Sequence, residues 1–151
     1  MSPVDALKRR RFLLNLAGLP LLAGLAACRR DPGAGPVAIE FGKEKDDRCH
    51  MVIDDRHFAA EVRDAQGKVS KFDDIGCAVF WLTKHGVSES MPGVEVWVAD
   101  YQSGQWLDAR LASYREGVRS PMRYQFGATA QAAADTVDYE TMKSRVLARG
   151  R

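Results

Sequence analysis

Apolar and polar positions follow different rhythms in different parts of the chain. From Phe12 to Ala27 there is no alternation. The run is apolar, interrupted only by Asn15 and Pro20, and it ends in small residues. It is short for a spanning helix, which needs about 20 apolar residues. With Lys8, Arg9, Arg10 and Arg11 ahead of it, it reads as the core of a secretory signal. Further on, two apolar-rich stretches, Phe58–Arg63 and Lys68–Phe72, flank Asp64-Ala65-Gln66-Gly67 and predict a hairpin with a glycine-containing turn. A helical rhythm follows: Ile75, Ala78, Val79 and Leu82 fall on one face. Asp73 or Asp74 can cap its start, and Gly86 stops it after His85. Beyond Met91-Pro92-Gly93, Val94–Val98 alternates as a strand. After a turn at Asp100–Gly104, strand pieces are expected at Gln105–Leu107 and Ala109–Ser113, with Tyr124–Ala128 as the last strand. An Ala-rich helix is expected next, then a helix capped by Asp138 and running to about Ala148. Strands followed by a helix in each half predict an α+β fold, a small single domain of two sheet–helix, ββαβ-like units.

The end of the apolar run sharpens its meaning. Leu25-Ala26-Ala27-Cys28 resembles the bacterial lipobox, in which the cysteine thiol is acylated and the chain is cut just before it. Residues 1–27 are then a lipoprotein signal peptide, 28–42 a lipidated N-terminus and flexible tether rich in Pro and Gly, and 43–151 the functional domain. Arg9-Arg10-Arg11-Phe12-Leu13 has the form of a twin-arginine core, and a plain basic signal region reads equally well. The location expected is the periplasmic face of a membrane. Arg29 in place of the aspartate associated with inner-membrane retention favours the outer one.

Charge follows from this division. The chain carries 22 Lys and Arg against 20 Asp and Glu. Residues 1–27 hold four of the basic residues and one acidic residue, so 18 against 19 remain. No basic stripe survives to suggest nucleic acid. No P-loop, dinucleotide fingerprint, zincin helix or nucleophile elbow is present.

With Cys28 lipidated, Cys49 and Cys77 are left, and in an oxidising compartment two cysteines can form one disulfide. The surroundings of Cys49 offer other chemistry. Cys49-His50-Met51 places a thiol, an imidazole and a thioether in succession, with His57 shortly after. Thiolate and thioether are soft donors that select Cu(I). On an extended backbone Cys49 and Met51 would face the same side. Zinc is disfavoured, because no second Cys/His pair stands at the spacing of a structural zinc site. Cys77, inside the first predicted helix, reads as a buried small hydrophobe, and Asp54 and Asp55 as turn residues.

Three patches, in order, resemble the NosL family, the copper-binding lipoproteins accessory to nitrous oxide reductase. They are the lipobox at Cys28, Cys49-His50-Met51 followed by Asp54-Asp55-Arg56-His57-Phe58, and Ser120-Pro121-Met122-Arg123-Tyr124-Gln125-Phe126-Gly127-Ala128. Phe72-Asp73-Asp74-Ile75-Gly76-Cys77 also resembles the family's central helix start. The resemblance implies a treble-clef-related fold and no enzyme. It implies a Cu(I) metallochaperone held at the membrane by lipid on Cys28, serving the nitrous oxide reductase apoprotein and its assembly machinery during maturation of the copper–sulfide centre. Carried over by position, Cys49, Met51 and Met122 are the metal ligands, with His50 and His57 as further candidates. Two departures stand out: His50 replaces a glycine, and Arg123 stands where glycine is frequent. Two other readings compete. One is an interaction lipoprotein closed by a Cys49–Cys77 disulfide. The other is a thiol-dependent enzyme like organomercurial lyase, with Cys49, Cys77 and Asp54 or Asp55.

Overall fold

The computed structural model describes residues 33–150. The predicted signal peptide, Cys28 and the first residues of the tether lie outside the described residues.

The predicted hairpin forms as β1 (Ala60–Arg63) and β2 (Val69–Phe72), antiparallel with Ala60 opposite Phe72. β3 (Glu95–Ala99) pairs with the other edge of β1, and β4 (Trp106–Asp108) with β3, giving an antiparallel sheet in the order β2-β1-β3-β4. A second antiparallel sheet, β6-β5-β7, is built from β5 (Ser113–Glu116), β6 (Phe126–Thr129) and β7 (Thr136–Val137). Helix α1 (Ile75–His85) packs on β1 and β2 and against α2 (Tyr139–Ala148), which also reaches β5. Two helices and two antiparallel sheets make the fold α+β, as expected.

The caps of α1 explain its length. Asp74, in extended conformation, accepts a hydrogen bond from the Gly76 N–H, and Gly86, at φ 63°, ends the helix by donating to the carbonyls of Leu82 and Thr83. Its buried face, including Cys77, Ala78, Val79 and Leu82, joins Phe72, Val62, Val96, Tyr114, Tyr124, Phe126 and Met142 in the core.

Every residue of β1 is buried, including Glu61 and Arg63. The covering layer is the segment just before the domain proper. The Gly35 N–H donates to Glu95 Oε2 at 2.9 Å and the Val37 N–H to Glu61 Oε2 at 2.9 Å. Arg63 Nη2 donates to the Gly35 carbonyl at 2.7 Å.

Two sequence expectations need correction. Ala109–Ser113 is not a strand: the Leu111 and Ala112 N–H groups both turn back to the Asp108 carbonyl, and β5 begins only at Ser113. The Ala-rich stretch after β6 is not a helix either. Alanines supply propensity but little apolar surface to dock, and Thr136 Oγ1 closes a turn with Ala133 that leads straight into β7.

The two sheets meet at one seam. Asp100 and Ala128 form a parallel bridge, and the Tyr101 N–H donates to the Ala128 carbonyl at 2.8 Å. Asp100 Oδ1 accepts from Gln102 and Ser103, and Oδ2 accepts from the Ala130 N–H. Gly127 lets Tyr101 lie flat there, since a Cβ would stand 2.7 Å from Tyr101 Cγ. Among the described residues no helix is long and apolar enough to cross a membrane.

Candidate metal centre

Cys49 sits in a tight turn of residues 46–51. The Asp46 N–H donates to the Met51 carbonyl and the His50 N–H to the Asp46 carbonyl, while Lys45 and Val52 form an isolated antiparallel bridge. His50 adopts φ 62°. The backbone is therefore not extended from Cys49 to Met51, and alternation does not put their side chains on one side.

One buried carboxylate organises the turn. Asp46 Oδ1 accepts the N–H groups of Arg48 at 2.7 Å and Cys49 at 2.8 Å, and Oδ2 accepts the Asp73 N–H at 2.9 Å. It thus ties the turn to the residues entering α1. Asp47 adds a second tie, exchanging hydrogen bonds with the backbone of Lys71.

This brings Cys49 to the first turn of α1. Asp46, Cys49, Asp73 and Cys77 each offer one ligand atom, and these four atoms lie within 4.8 Å of one another. Cys49 is partly buried and the other three are buried; both cysteines are free thiols. Asp73 Oδ1 is buried without a hydrogen-bond partner. Arg48 closes the group: Nη1 lies 3.8 Å from Cys77 Sγ and 3.0 Å from the Tyr124 hydroxyl, and the guanidinium stacks 4.7 Å over the Phe80 ring.

Electrostatics within the group are opposed. Burial pushes the Asp73 carboxyl up to about 8, reinforced by its side-chain hydrogen bond to Asp46 and by the Asp46 charge. Burial works against ionisation of Asp46 too. There, hydrogen bonds from the Cys49 amide, the Asp73 side chain and the Asp73 and Arg48 amides outweigh it and hold the carboxyl below its usual range. Asp73 protonated and Asp46 ionised is the arrangement these contacts favour. Burial raises the Cys49 thiol, and it raises Cys77 much further, with the Asp46 charge adding to the effect. Both sulfurs are therefore thiols until a cation displaces the proton.

Next to Asp73, Asp74 holds the second methionine segment. Its Oδ2 accepts from the Ser120 hydroxyl at 2.6 Å and from the Met122 N–H at 3.1 Å. Arg123, at φ 59°, follows in the left-handed conformation that glycine adopts with less strain. Tyr124 then packs its ring on Gly76, where a Cβ would stand 2.1 Å from Cδ2.

The sequence-predicted residues are distributed as follows. Cys49 lies in the four-donor group. Met51 is 55% exposed two residues on, and Met122 is partly buried against the core. His50 is exposed, and neither it nor His57 is in the group. His57 Nδ1 lies 3.4 Å from Asp55 Oδ1, and Asp55 shapes the turn by accepting the His57 N–H. The carboxyls beside the thiols are Asp46 and Asp73, not Asp54 or Asp55. Sequence reasoning missed Asp46 and Asp73 as site residues; it favoured a core role for Cys77, with a disulfide or a catalytic thiol as the competing readings. The signal for Asp73 was the Asp73-Asp74 pair: one aspartate suffices as the cap, and the other is left over beside the thiols.

No protein-family model matches the chain, and no curated protein does. Among solved structures it is similar to the crystal structure of the copper chaperone NosL from Shewanella denitrificans. The two are 19% identical, the match covers 75% of this chain and 89% of that one, and the TM-score is 0.47.

Proposed function

We propose that the chain is a Cu(I)-binding metallochaperone, with Cys49, Met51 and Met122 as its soft donors. The observation that carries this reading is the mooring of both sulfur-bearing segments to consecutive residues. The Cys49 amide is held by Asp46, which in turn holds the Asp73 N–H. The Met122 amide is held by the side chain of Asp74. The Arg48–Tyr124 contact links the same two segments a second time. Cys49 is partly buried with an accessible edge and Met51 is exposed, as a site that must pass its ion to another protein requires. Few ligands and an accessible edge allow an incoming donor to replace them stepwise, and thiolate with thioether favours Cu(I) over harder ions.

The resemblance of the motif segments supports the finer reading. The protein would hang by lipid on Cys28 at the periplasmic face of a membrane and deliver copper to nitrous oxide reductase for its copper–sulfide centre. Copper is here the cargo, and no step in this role requires turnover.

An anaerobic Cu(I) titration of the reduced full chain against a competing chelator tests the site. The expected result is one copper per chain, abolished by Cys49→Ala and weakened by Met51→Ala and by Met122→Ala. A wild-type chain that cannot compete for Cu(I), or a Cys49→Ala chain that competes equally well, overturns the reading.

A further inference from the structure

We propose that the cleft between the two donor-bearing segments seats an acidic segment of the protein that takes up the ion, with Arg119 and Arg123 gripping its carboxylates. The proposal rests on the copper reading for where that partner's donors must arrive, whereas the seat itself is read without copper.

The cleft has a volume of about 370 Å³, and its walls come from both segments: Asp54 and Asp55, which follow Met51, and Arg119 to Arg123, which contain Met122. A second cleft of about 290 Å³, lined also by Gly117 and Gln125, shares Arg119 and Arg123 with the first. Both arginines are exposed. Among the described residues every other arginine is engaged, with a carboxylate, a carbonyl, a hydroxyl or an aromatic ring. The side chains of Arg119 and Arg123 have no such partner among the described residues. Asp54 and Asp55 line the same cleft without forming an ion pair with either; Asp55 is turned to His57 instead, at 3.4 Å. A guanidinium binds a carboxylate through two parallel N–H donors, so an unengaged pair beside the copper donors selects a partner that carries carboxylates. With 18 basic against 19 acidic residues after residue 27, the chain as a whole has no field to draw such a partner. Recognition falls to this local pair.

The backbone points to the same place independently. The non-glycine residues with positive φ among those described are His50 at 62°, Arg123 at 59° and Gln125 at 65°, and all of them lie in the two donor segments. Glycine would adopt this conformation with less strain, and strain of this kind collects where function needs it. The surroundings hold it in place. The Met122 N–H donates to Asp74, the Gln125 N–H to the Ser120 hydroxyl at 3.1 Å, and the Gly117 N–H to the Gln125 carbonyl at 2.9 Å. The arginines therefore stand on a fixed mount, and a mount ordered in advance loses little freedom on binding. Apolar side chains complete the face: Met51 and Val52, 55% and 43% exposed, come just ahead of Asp54, and Pro121 lies between the arginines in the chain. An acidic segment that also carries thioether or apolar side chains fits both features.

Seated there, the partner holds its own soft donors at a high local concentration beside Cys49 and Met122, so exchange starts from a bound complex rather than from a chance encounter. Charges at the rim of such a seat act on association more than on the ion already bound. Asp54 repels a carboxylate placed on its side and so sets which way round the segment lies.

The probe is a rhodamine-labelled peptide of alternating Asp and Met, and its control is the same peptide with Lys in place of Asp. Binding to the reduced, metal-free full chain is followed by fluorescence anisotropy at low and at physiological ionic strength. The acidic peptide should bind, more weakly as salt screens the pair, and the Lys peptide should not. Arg119→Ala combined with Arg123→Gly, where glycine suits the left-handed backbone, should weaken binding by about three- to tenfold, the worth of two solvent-exposed ion pairs. Arg119→Ala alone should show part of that loss, and it serves if the double variant does not fold. Lys68→Ala combined with Lys84→Ala removes two charges just before β2 and near the end of α1 and should leave binding unchanged. Asp54→Asn should tighten it. Circular dichroism shows whether each variant is folded. Equal binding of the two peptides, no binding of the acidic one, a loss as large with the lysine pair as with the arginine pair, or weaker binding by Asp54→Asn overturns the proposal. So does arginine-dependent binding to phosphatidylglycerol vesicles without peptide binding, which would make the pair a membrane contact. Chelator competition for Cu(I) on the same preparation separates the two readings. Docking without Cu(I) binding sinks the chaperone and leaves the seat; Cu(I) binding without docking does the reverse.

Discussion

Replacing Gly76 by alanine adds one methyl group at the point where Tyr124 lies on the first turn of α1. The added Cβ would stand 2.1 Å from Tyr124 Cδ2 and 2.2 Å from Cγ. Ordinary carbon contacts are about 3.5–4.0 Å, so the ring or the helix must move by roughly 1.5 Å. Neither moves easily. Tyr124 is 1% exposed, its hydroxyl is 3.0 Å from Arg48 Nη1, and its ring lies 5.8 Å from that of Phe80. The helix start is fixed by Asp74. Overpacking of this kind costs about 1–3 kcal/mol. Alanine returns up to about 1 kcal/mol through helix propensity, so a net loss of about 1–2 kcal/mol is expected. Urea denaturation measures it as a lower midpoint with an unchanged slope. The decisive comparison is a second background. Tyr124→Ala alone should cost about 3–5 kcal/mol, as for other buried aromatics. With the ring gone, Gly76→Ala should become neutral or stabilising by up to about 1 kcal/mol. If Gly76→Ala destabilises equally in both backgrounds, the contact with Tyr124 is not the cause and the reasoning fails.

Two further perturbations probe the aspartates. Asp74→Ala removes the cap of α1, worth about 1 kcal/mol, and leaves the Ser120 hydroxyl and the Met122 N–H without their acceptor, so about 3 kcal/mol in all should be lost. A loss below about 1 kcal/mol in urea denaturation would show that the Ser120–Met122 segment is held by something else. For Asp73, burial and the adjacent Asp46 raise the folded carboxyl to about 8, well above the ordinary aspartate value of about 3.9. Its contribution to stability is full below about pH 4 and is lost as pH rises toward about 8, because the folded state holds a proton that the unfolded chain has released. Asp46, whose carboxyl is held low, acts only at more acid pH. Denaturation midpoints from about pH 5 to about pH 8 should therefore fall more steeply for wild type than for Asp73→Asn. Parallel slopes would show that Asp73 ionises normally in the folded protein.

Local rhythm carried much of the fold. The hairpin, α1 and α2 were legible because their apolar spacing, their Asp caps and the Gly86 stop all lie within a few residues of one another. The Ala-rich stretch misled because propensity without an apolar face does not make a docked helix. Ala109–Ser113 misled because Asp108 captures the following N–H groups into a turn. The site was legible only in part. Cys49 stood out by its neighbours, but its partners Asp46, Asp73 and Cys77 are gathered by hydrogen bonds between distant positions, such as Asp73 N–H to Asp46 Oδ2, which no periodicity encodes. The extended backbone assumed for Cys49 and Met51 gave way to a turn because the side chain of Asp46 accepts two successive amides.

The seam between the sheets bears on how the molecule opens. Asp100 spends one carboxylate oxygen on its own turn and the other on Ala130, while Tyr101 is pressed against Gly127 and bonded to Ala128. Separating the sheets would break all of these contacts together, which couples β5, β6 and β7 to β1–β4. The amides of β3 and β6 should then exchange with solvent through the same global event.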